Sequence, residues 1–196
     1  MWVVRCMRTT SGMPTTSRDH PPTFAAPTSS SELKEDLVAA LVAGQLAGVV
    51  MALSLIIVFA AFFGQPWFFP VQVIGSMVVG PSAVEGSFVF SAFVVGLLLH
   101  QVVSAVWSLV FGVMVNRLSP TFFNVVFSGL TVGLISQVLD TRLLVPTVMM
   151  SIHHVNLWAE NVPPLWSWVA HLLFGLSLAL FIPISRRVSE LNQRGT

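Results

Sequence analysis

The chain has 196 residues, of which 55% are hydrophobic and 9% are charged, and its formal net charge is +1. A soluble domain usually carries about 25% charged residues, so this composition excludes an ordinary soluble fold and favours a chain that lies in a bilayer. The near-zero net charge gives no indication of nucleic-acid binding, and the single cysteine, Cys6, excludes a disulfide within the chain.

The first predicted elements are a polar tail and a long apolar helix. Residues 1–31 are rich in Thr, Ser and Pro without hydrophobic periodicity, which is typical of a disordered segment. Ser29 and Glu32 have the spacing of a helix-capping box. Residues 37–63 then contain no charge, and a transmembrane helix needs about 20 such residues at a rise of about 1.5 Å each. We therefore predict a transmembrane domain over residues 32–187.

Three further spans follow in chain order. After the first span, three prolines break any continuous helix, and residues 71–79 predict a short helix at the membrane interface. The remaining spans are predicted at residues 88–115, 122–139 and 166–184. Asp140 and Arg142 mark the end of the third span, because charged residues are costly in the hydrocarbon layer. Residues 143–150 either continue that span or lie at the interface.

The distribution of lysine and arginine predicts the orientation. With four spans, both chain ends and the loop that contains Arg117 lie on one side of the membrane. That side carries eight of the nine basic residues, and the other side carries only Arg142. The positive-inside rule then places both termini, including the tail of residues 188–196, in the cytoplasm and the chain in the cell (inner) membrane.

Each span carries a stripe of small or polar residues four apart, which places them on one helix face. Lipid tails do not drive helices together, so close backbone contact through small residues takes that role. We predict an all-α four-helix bundle with these stripes turned inward. The glycines expected to pack the helices are Gly44, Gly48, Gly96, Gly129, Gly133 and Gly175.

The stripes also repeat along the chain. A glycine pair in the first span recurs in the third, and a histidine motif in the second recurs in the fourth. These motifs are Gly44-x-x-x-Gly48, Gly129-x-x-x-Gly133, His100-x-x-x-Ser104 and His171-x-x-x-Gly175. We predict two tandem two-helix repeats related by a pseudo-twofold axis along the membrane normal. His100 and His171 then lie at one depth, about 24 Å from the cytoplasmic end, and point inward.

This pattern resembles a group of small, uncharacterised prokaryotic four-helix membrane proteins. Their features are paired G-x-x-x-G helices, an H-x-x-x-[SG] helix with a Trp three residues on, and an Ala-His pair near the start of the last span. The corresponding residues here are Gly44 to Gly48, His100-Ser104-Trp107, and Ala170-His171 with Phe174-Gly175. The resemblance covers roughly residues 42–187 and implies the fold, but no activity.

The main candidate site is an intramembrane polar group of His100, His171, Ser104, Gln101 and Gln137. Ionisable residues inside a membrane are costly, which makes them functional hypotheses by default. Three interpretations stay open for the histidines. Each neutral imidazole hydrogen-bonds a neighbouring helix, or the pair handles protons, or the pair ligates haem b or a transition metal. No cofactor is otherwise predicted.

A second candidate lies in the loops of the outer side, where Glu85, Asp140, His153, His154 and Glu160 carry groups that transition metals accept. Adjacent histidines diverge in regular structure, and no CxxC or HExxH spacing supports a metal site. We therefore expect solvated loop residues, with a metal site as the alternative.

Three classes of function stay open, and an enzyme is not favoured because no nucleophile–base pair is present. The first, which we rank highest, is a structural or accessory protein that engages a membrane-protein partner. The second is a small transporter or channel with a site near His100 and His171. The third is a haem-binding or metal-binding membrane protein. Besides the lipid bilayer, a second copy in a homodimer is an expected partner.

Overall fold

The structure is a computed structural model that describes residues 30–118 and 121–194. Residues 1–29 of the predicted tail, and with them the Ser29 cap, lie outside the described residues. Within the described ranges the regular elements are helical and no strand is present.

Eight helices follow one another along the described part of the chain. They are α1 (Ser30–Phe63), α2 (Phe69–Val79), α3 (Phe90–Leu118), α4 (Phe122–Leu139), α5 (Val145–His153), α6 (Leu157–Asn161), α7 (Pro164–Ser177) and α8 (Phe181–Arg194). A 3-10 turn, Pro81–Val84, precedes α3, and a second one, Leu178–Leu180, joins α7 to α8. A π turn, Asp140–Leu144, joins α4 to α5.

Four helical stretches are long and apolar enough to cross a membrane, which confirms the predicted fold class of an all-α chain with four spans. They are Leu33–Phe63, Phe90–Leu118, Phe122–His153 and Pro164–Asn192. Bulky apolar side chains on their outer faces, such as Leu53, Ile57 and Val102, are more than half exposed. Such faces suit contact with lipid, and the chain is a multi-pass membrane protein.

The third span does not end at Leu139 as predicted. Helix α4 continues through the π turn into α5 and reaches His153. In this turn the backbone N–H of Val145 donates to the carbonyl of Asp140, five residues back. The wider turn accommodates Pro146, which has no N–H and whose ring would disrupt an α-helical turn. The charged residues therefore lie within the span, and the apolar residues after them continue it.

Helix α2 packs against the other helices of the molecule. Seven of its eleven residues are buried. A Cβ atom added to Gly75 would overlap the carbonyl oxygen of Ala92, and one added to Gly96 would overlap that of Val71. Helix α2 thus runs antiparallel along the first part of α3, with the two backbones in direct contact.

The long helices pack in two pairs, α1 with α3 and α4 with α7, and α1 also contacts α7 and α8. At one end of the molecule, Glu35 accepts hydrogen bonds from Ser189 and Asn192. At the same end, Asn116 donates to Asp36. The start of α1, the end of α3 and helix α8 therefore meet on one side.

Candidate functional site

A cavity of about 280 Å³ lies between the helices, with lining residues from α1, α2, α3, α5, α6, α7 and the junction of α4 with α5. Most of the lining is apolar. The lining residues that carry a polar group are His100, Ser104, Trp107, Ser136, Asp140, Thr141, Trp158 and His171. Val78 and Leu144 also line the cavity and are 55% and 43% exposed. Because both belong to apolar helices, the cavity opens toward the region that lipid would occupy.

Asp140 supplies the carboxylate of this cavity and lies well inside the apolar layer. Its side chain is only 15% exposed. The indole N–H of Trp107 donates to both carboxylate oxygens, at 3.2 and 3.0 Å. Trp107 lies about 16 Å from the Leu118 end of α3 at about 1.5 Å per residue, which sets the depth of Asp140. The π turn is the element that carries this carboxylate into the cavity.

His171 of α7 lies next to this carboxylate. Its side chain is 6% exposed, and Nε2 lies 3.9 Å from Oδ2 of Asp140. Nδ1 lies 2.8 Å from the carbonyl oxygen of Ser167, and since a carbonyl only accepts, Nδ1 carries a hydrogen. In the neutral imidazole, Nε2 is then an acceptor. Behind it, the Ser167 hydroxyl donates to Oε1 of Gln137 at 2.9 Å, and the Gln137 amide donates to Thr141 at 3.1 Å.

His100 lines the same cavity from α3. Its Nε2 lies 2.9 Å from the carbonyl oxygen of Gly48 on α1, so this nitrogen carries the hydrogen and Nδ1 is the acceptor. His100 therefore bonds to a different helix, whereas His171 bonds to its own helix. Ser104, one turn further along α3, is buried and also lines the cavity.

The five residues of the predicted intramembrane site are thus only partly brought together. His100, His171 and Ser104 line one cavity, and Gln137 is connected to it through Ser167. Gln101 does not line this cavity. Its backbone carbonyl accepts a hydrogen bond from Gln45, and its buried Oε1 has no hydrogen-bond partner among the described residues.

The predicted outer cluster does not assemble. Asp140 turns into the cavity, whereas Glu85 and Glu160 are exposed. His153 bonds a carbonyl of α2, while the exposed His154 ends α5 in a left-handed conformation with φ 58°, so the two rings diverge. Within the described part of the chain, no three His, Cys, Asp or Glu side chains form a group that could hold a metal ion.

Asp140 and Trp107 were named from the sequence, but neither of them was placed in the intramembrane site. Asp140 was assigned to the end of a span because a charged residue often marks the membrane boundary. The available signal was that residues 143–150 stay apolar, so the charge interrupts an apolar run. Trp107 carried no comparable signal, since its partner lies on another helix.

Comparisons with models of known protein families, with curated proteins and with solved structures found no match to this chain. The resemblance to small prokaryotic four-helix membrane proteins stays a prediction. The cavity itself is therefore the basis for a functional argument.

Proposed function

We propose that this membrane protein binds a small, mainly apolar molecule in the cavity and carries it within or across the bilayer as a small transporter. The observation that supports this is an open cavity inside the apolar layer with a carboxylate, Asp140, on its wall. A charged side chain near the centre of a membrane helix is unfavourable by about 2.5–3.5 kcal/mol on insertion scales. The cavity volume of about 280 Å³ lies just below the usual range for ligand sites, roughly 300–1,000 Å³, so the ligand must be small.

A purely structural or accessory role, which ranks first from the sequence alone, accounts for less of the geometry. The small-residue stripes explain how α1 packs on α3 and how α4 packs on α7. They do not explain why Asp140 is held by Trp107 beside an open cavity. Helix packing alone would be better served by apolar side chains at these positions.

The test is ligand-dependent stabilisation of the purified protein in lipid nanodiscs. A panel of small amphiphiles is screened for a rise in the thermal unfolding midpoint, since a ligand that binds only the folded state stabilises it. The variant Val148→Phe narrows the cavity, and Val138→Phe adds the same group on an exposed face of α4 outside it. We expect Val148→Phe to lose the shift and Val138→Phe to keep it.

A second measurement separates transport from binding alone. The compound that binds is loaded into proteoliposomes, and its efflux is compared between wild type and Val148→Phe. Efflux that depends on the open cavity supports a transporter. Binding without any protein-dependent efflux contradicts transport, and no binding by any member of the panel contradicts the proposal as a whole.

A metal-binding role is a second candidate that one observation favours. Each cavity histidine donates one ring N–H to a backbone carbonyl, which is the usual arrangement for histidines that ligate metals through the other nitrogen. Metal analysis and an absorption spectrum of the purified protein, reduced and oxidised, test this role. Stoichiometric metal or a Soret band that disappears in His100→Leu or His171→Leu supports it, and a clean spectrum without metal contradicts it.

We propose that the protein lies in the inner membrane of the cell, with both termini in the cytoplasm. Hydrogen bonds gather the start of α1, the end of α3 and α8 at one end of the molecule. Lys34, Arg117, Arg186 and Arg187 belong to these same segments. The positive-inside rule then supports a cytoplasmic location for that end. A reporter fused to the C-terminus and assayed on either side of the membrane tests it.

The proposed tandem repeat pairs α1 and α3 as one copy and α4 and α7 as the other. Its support is the shared glycine spacing and the fact that each pair packs through those glycines. The copies would start on the same side of the membrane, which corresponds to an axis along the membrane normal.

A further inference from the structure

We propose that the molecule held in the cavity carries a protonated primary amine on an apolar body. This inference rests on the proposed function and deepens it by naming the chemical class of the ligand. Its basis is the hydrogen-bonding character of the polar lining. Most donors there are already used by the protein, and the charged group that is left for a ligand is an acceptor, the carboxylate of Asp140.

Three of the non-histidine donors are used within the helices or on the carboxylate, while the indole N–H of Trp158 has no assigned partner. The Ser136 hydroxyl donates to the carbonyl of Gly133 at 3.0 Å, and the Thr141 hydroxyl donates to that of Gln137 at 2.6 Å. The Trp107 N–H is committed to Asp140. A hydroxyl or indole has a single hydrogen to donate, so these three groups can offer a ligand no further donor.

The ring N–H groups of the two histidines are also used by the protein. His100 uses Nε2–H on Gly48, and His171 uses Nδ1–H on Ser167. In its neutral form each imidazole then has one nitrogen left, and that nitrogen accepts. Among the described lining residues, Ser104 alone has a hydroxyl with no assigned hydrogen-bond partner.

The charge balance of the cavity points to a cation. Asp140 is the lining carboxylate, and among the described residues no Lys or Arg side chain lines the cavity. Arg142, two residues away in the π turn, is exposed. The gap of 3.9 Å between the carboxylate and Nε2 of His171 is longer than a hydrogen bond. A primary ammonium has three donors and a full positive charge, so it can donate to both of these acceptors at once.

The remaining walls suit an apolar body. Met51, Leu55, Ile74, Met77 and Val148 line the cavity. Methionine side chains adapt to ligands of different shape, so a range of alkyl or aryl groups can be accommodated. The opening beside Leu144 lets such a cationic amphiphile enter from the lipid, where its apolar part would partition.

The experiment uses four probes with one octyl chain and different head groups, added to wild-type protein in phosphatidylcholine nanodiscs. The probes are octylammonium, octyltrimethylammonium, octanol and octanoate. Binding is measured from the shift in the thermal unfolding midpoint over a concentration series. We expect octylammonium to bind about tenfold to a hundredfold more tightly than octanol, since hydrogen bonds to a charged group are the stronger kind. The trimethyl probe has the charge without N–H donors and should bind more weakly than octylammonium, and octanoate should bind weakest.

Asp140→Asn is the matching variant, and Glu85→Gln is its control, because Glu85 is an exposed carboxylate that does not line the cavity. Asp140→Asn should remove the preference for octylammonium over octanol, and Glu85→Gln should keep it. Partition of the probes into lipid is the same for all three proteins and cancels in the comparison. If Asp140→Asn does not fold, the four probes on wild type still decide the question.

The outcomes separate this inference from the proposed function. Equal binding of octanol and octylammonium leaves the cavity as a ligand site and overturns the amine. Equal binding of the primary and quaternary amines overturns the donor argument. If none of the probes shifts the midpoint of wild type, while other members of the amphiphile panel do, the amine is again rejected and the ligand site stands.

Discussion

The helix pair α1 with α3 and the helix pair α4 with α7 use the same glycine spacing, yet their glycines contact different groups. In the first pair, a Cβ atom added at Gly44 would overlap the side chain of Ser108, and one added at Gly48 would lie 2.6 Å from the hydroxyl of Ser104. The glycines of α1 thus accommodate serine side chains of α3.

In the second pair, glycine faces glycine. A Cβ atom added at Gly129 would overlap the carbonyl oxygen of Gly175, and one added at Gly175 would overlap that of Gly129. The backbones of α4 and α7 therefore touch directly. A motif with one spacing gives two kinds of contact, because the facing residue decides whether a side chain or a backbone fills the space.

The histidines of the two pairs differ in the same way. His100 bonds across its pair to Gly48, whereas His171 bonds to Ser167 on its own helix and keeps Nε2 toward Asp140. Both histidines line the cavity, but the first holds two helices together and the second lies beside the carboxylate. The difference between the pairs thus extends from packing to the candidate site.

The largest expected effect is that of Gly175→Ala. An exposed helical Gly→Ala change stabilises by about 1 kcal/mol, but here the added methyl meets the backbone of Gly129, which cannot rotate away. We expect the free energy of unfolding to fall by about 3 kcal/mol or more. Equilibrium unfolding in mixed micelles measures this. Gly112→Ala is the control, because its added methyl meets the side chains of Ala40 and Leu37, and it should cost less. Equal stability of Gly175→Ala and wild type would contradict the direct backbone contact.

The next effect is that of Gly44→Ala, where the obstacle is the Cβ atom of Ser108, which, unlike a backbone carbonyl, a second substitution can remove. The substitution should lower the free energy of unfolding by about 1–3 kcal/mol. In the background Ser108→Gly the same substitution should be nearly neutral. A double-mutant cycle then gives a coupling energy of about 1 kcal/mol or more. Absence of coupling would show that the two residues are not in contact, and that the first pair is not packed through its serines.

The four spans could be predicted because their length and apolar composition are properties of each segment alone. The stripes of small residues, such as Gly129 and Gly133, follow from spacing on one helix in the same way. The π turn could not be predicted with these rules. Pro146 and the charges at Asp140 and Arg142 are typical of a helix end, and only the five-residue hydrogen bond that bypasses the proline keeps the helix intact.

For the site, the histidines were visible because an ionisable residue within an apolar run is conspicuous. The contact between Trp107 and Asp140 was not, since it depends on how α3 and α4 are rotated about their axes relative to each other. No pattern within either helix determines that rotation. The predicted place of Gln137 was nearer to the place that it has in the structure. Gln137 lies on the same stripe as the glycines that pack α4 against α7, and that stripe is visible in the sequence.

The smallest expected effect concerns the two histidines. Both are replaced in the background Asp140→Asn, because removing His171 alone would also take away the neighbour of the Asp140 carboxylate. There His100→Leu removes a hydrogen bond between helices and should lower the free energy of unfolding by about 0.6–2 kcal/mol. His171→Leu removes a bond to the carbonyl of Ser167, four residues back, which can keep its helical backbone partner. Its effect on stability should therefore be clearly smaller.

The same unfolding measurement on both double variants checks this order. Equal losses of unfolding free energy would make the two histidines equivalent, as a repeat without divergence requires. The distinction between His100 as a contact between helices and His171 as the neighbour of Asp140 would then be contradicted. A larger loss for His100→Leu keeps that distinction. The two helix pairs, if they arose from one unit, have then diverged at their histidines. His100 bonds through Nε2 to a carbonyl of another helix, and His171 bonds through Nδ1 to a carbonyl of its own helix. Of the two, His171 is the one whose ring nitrogen lies beside Asp140.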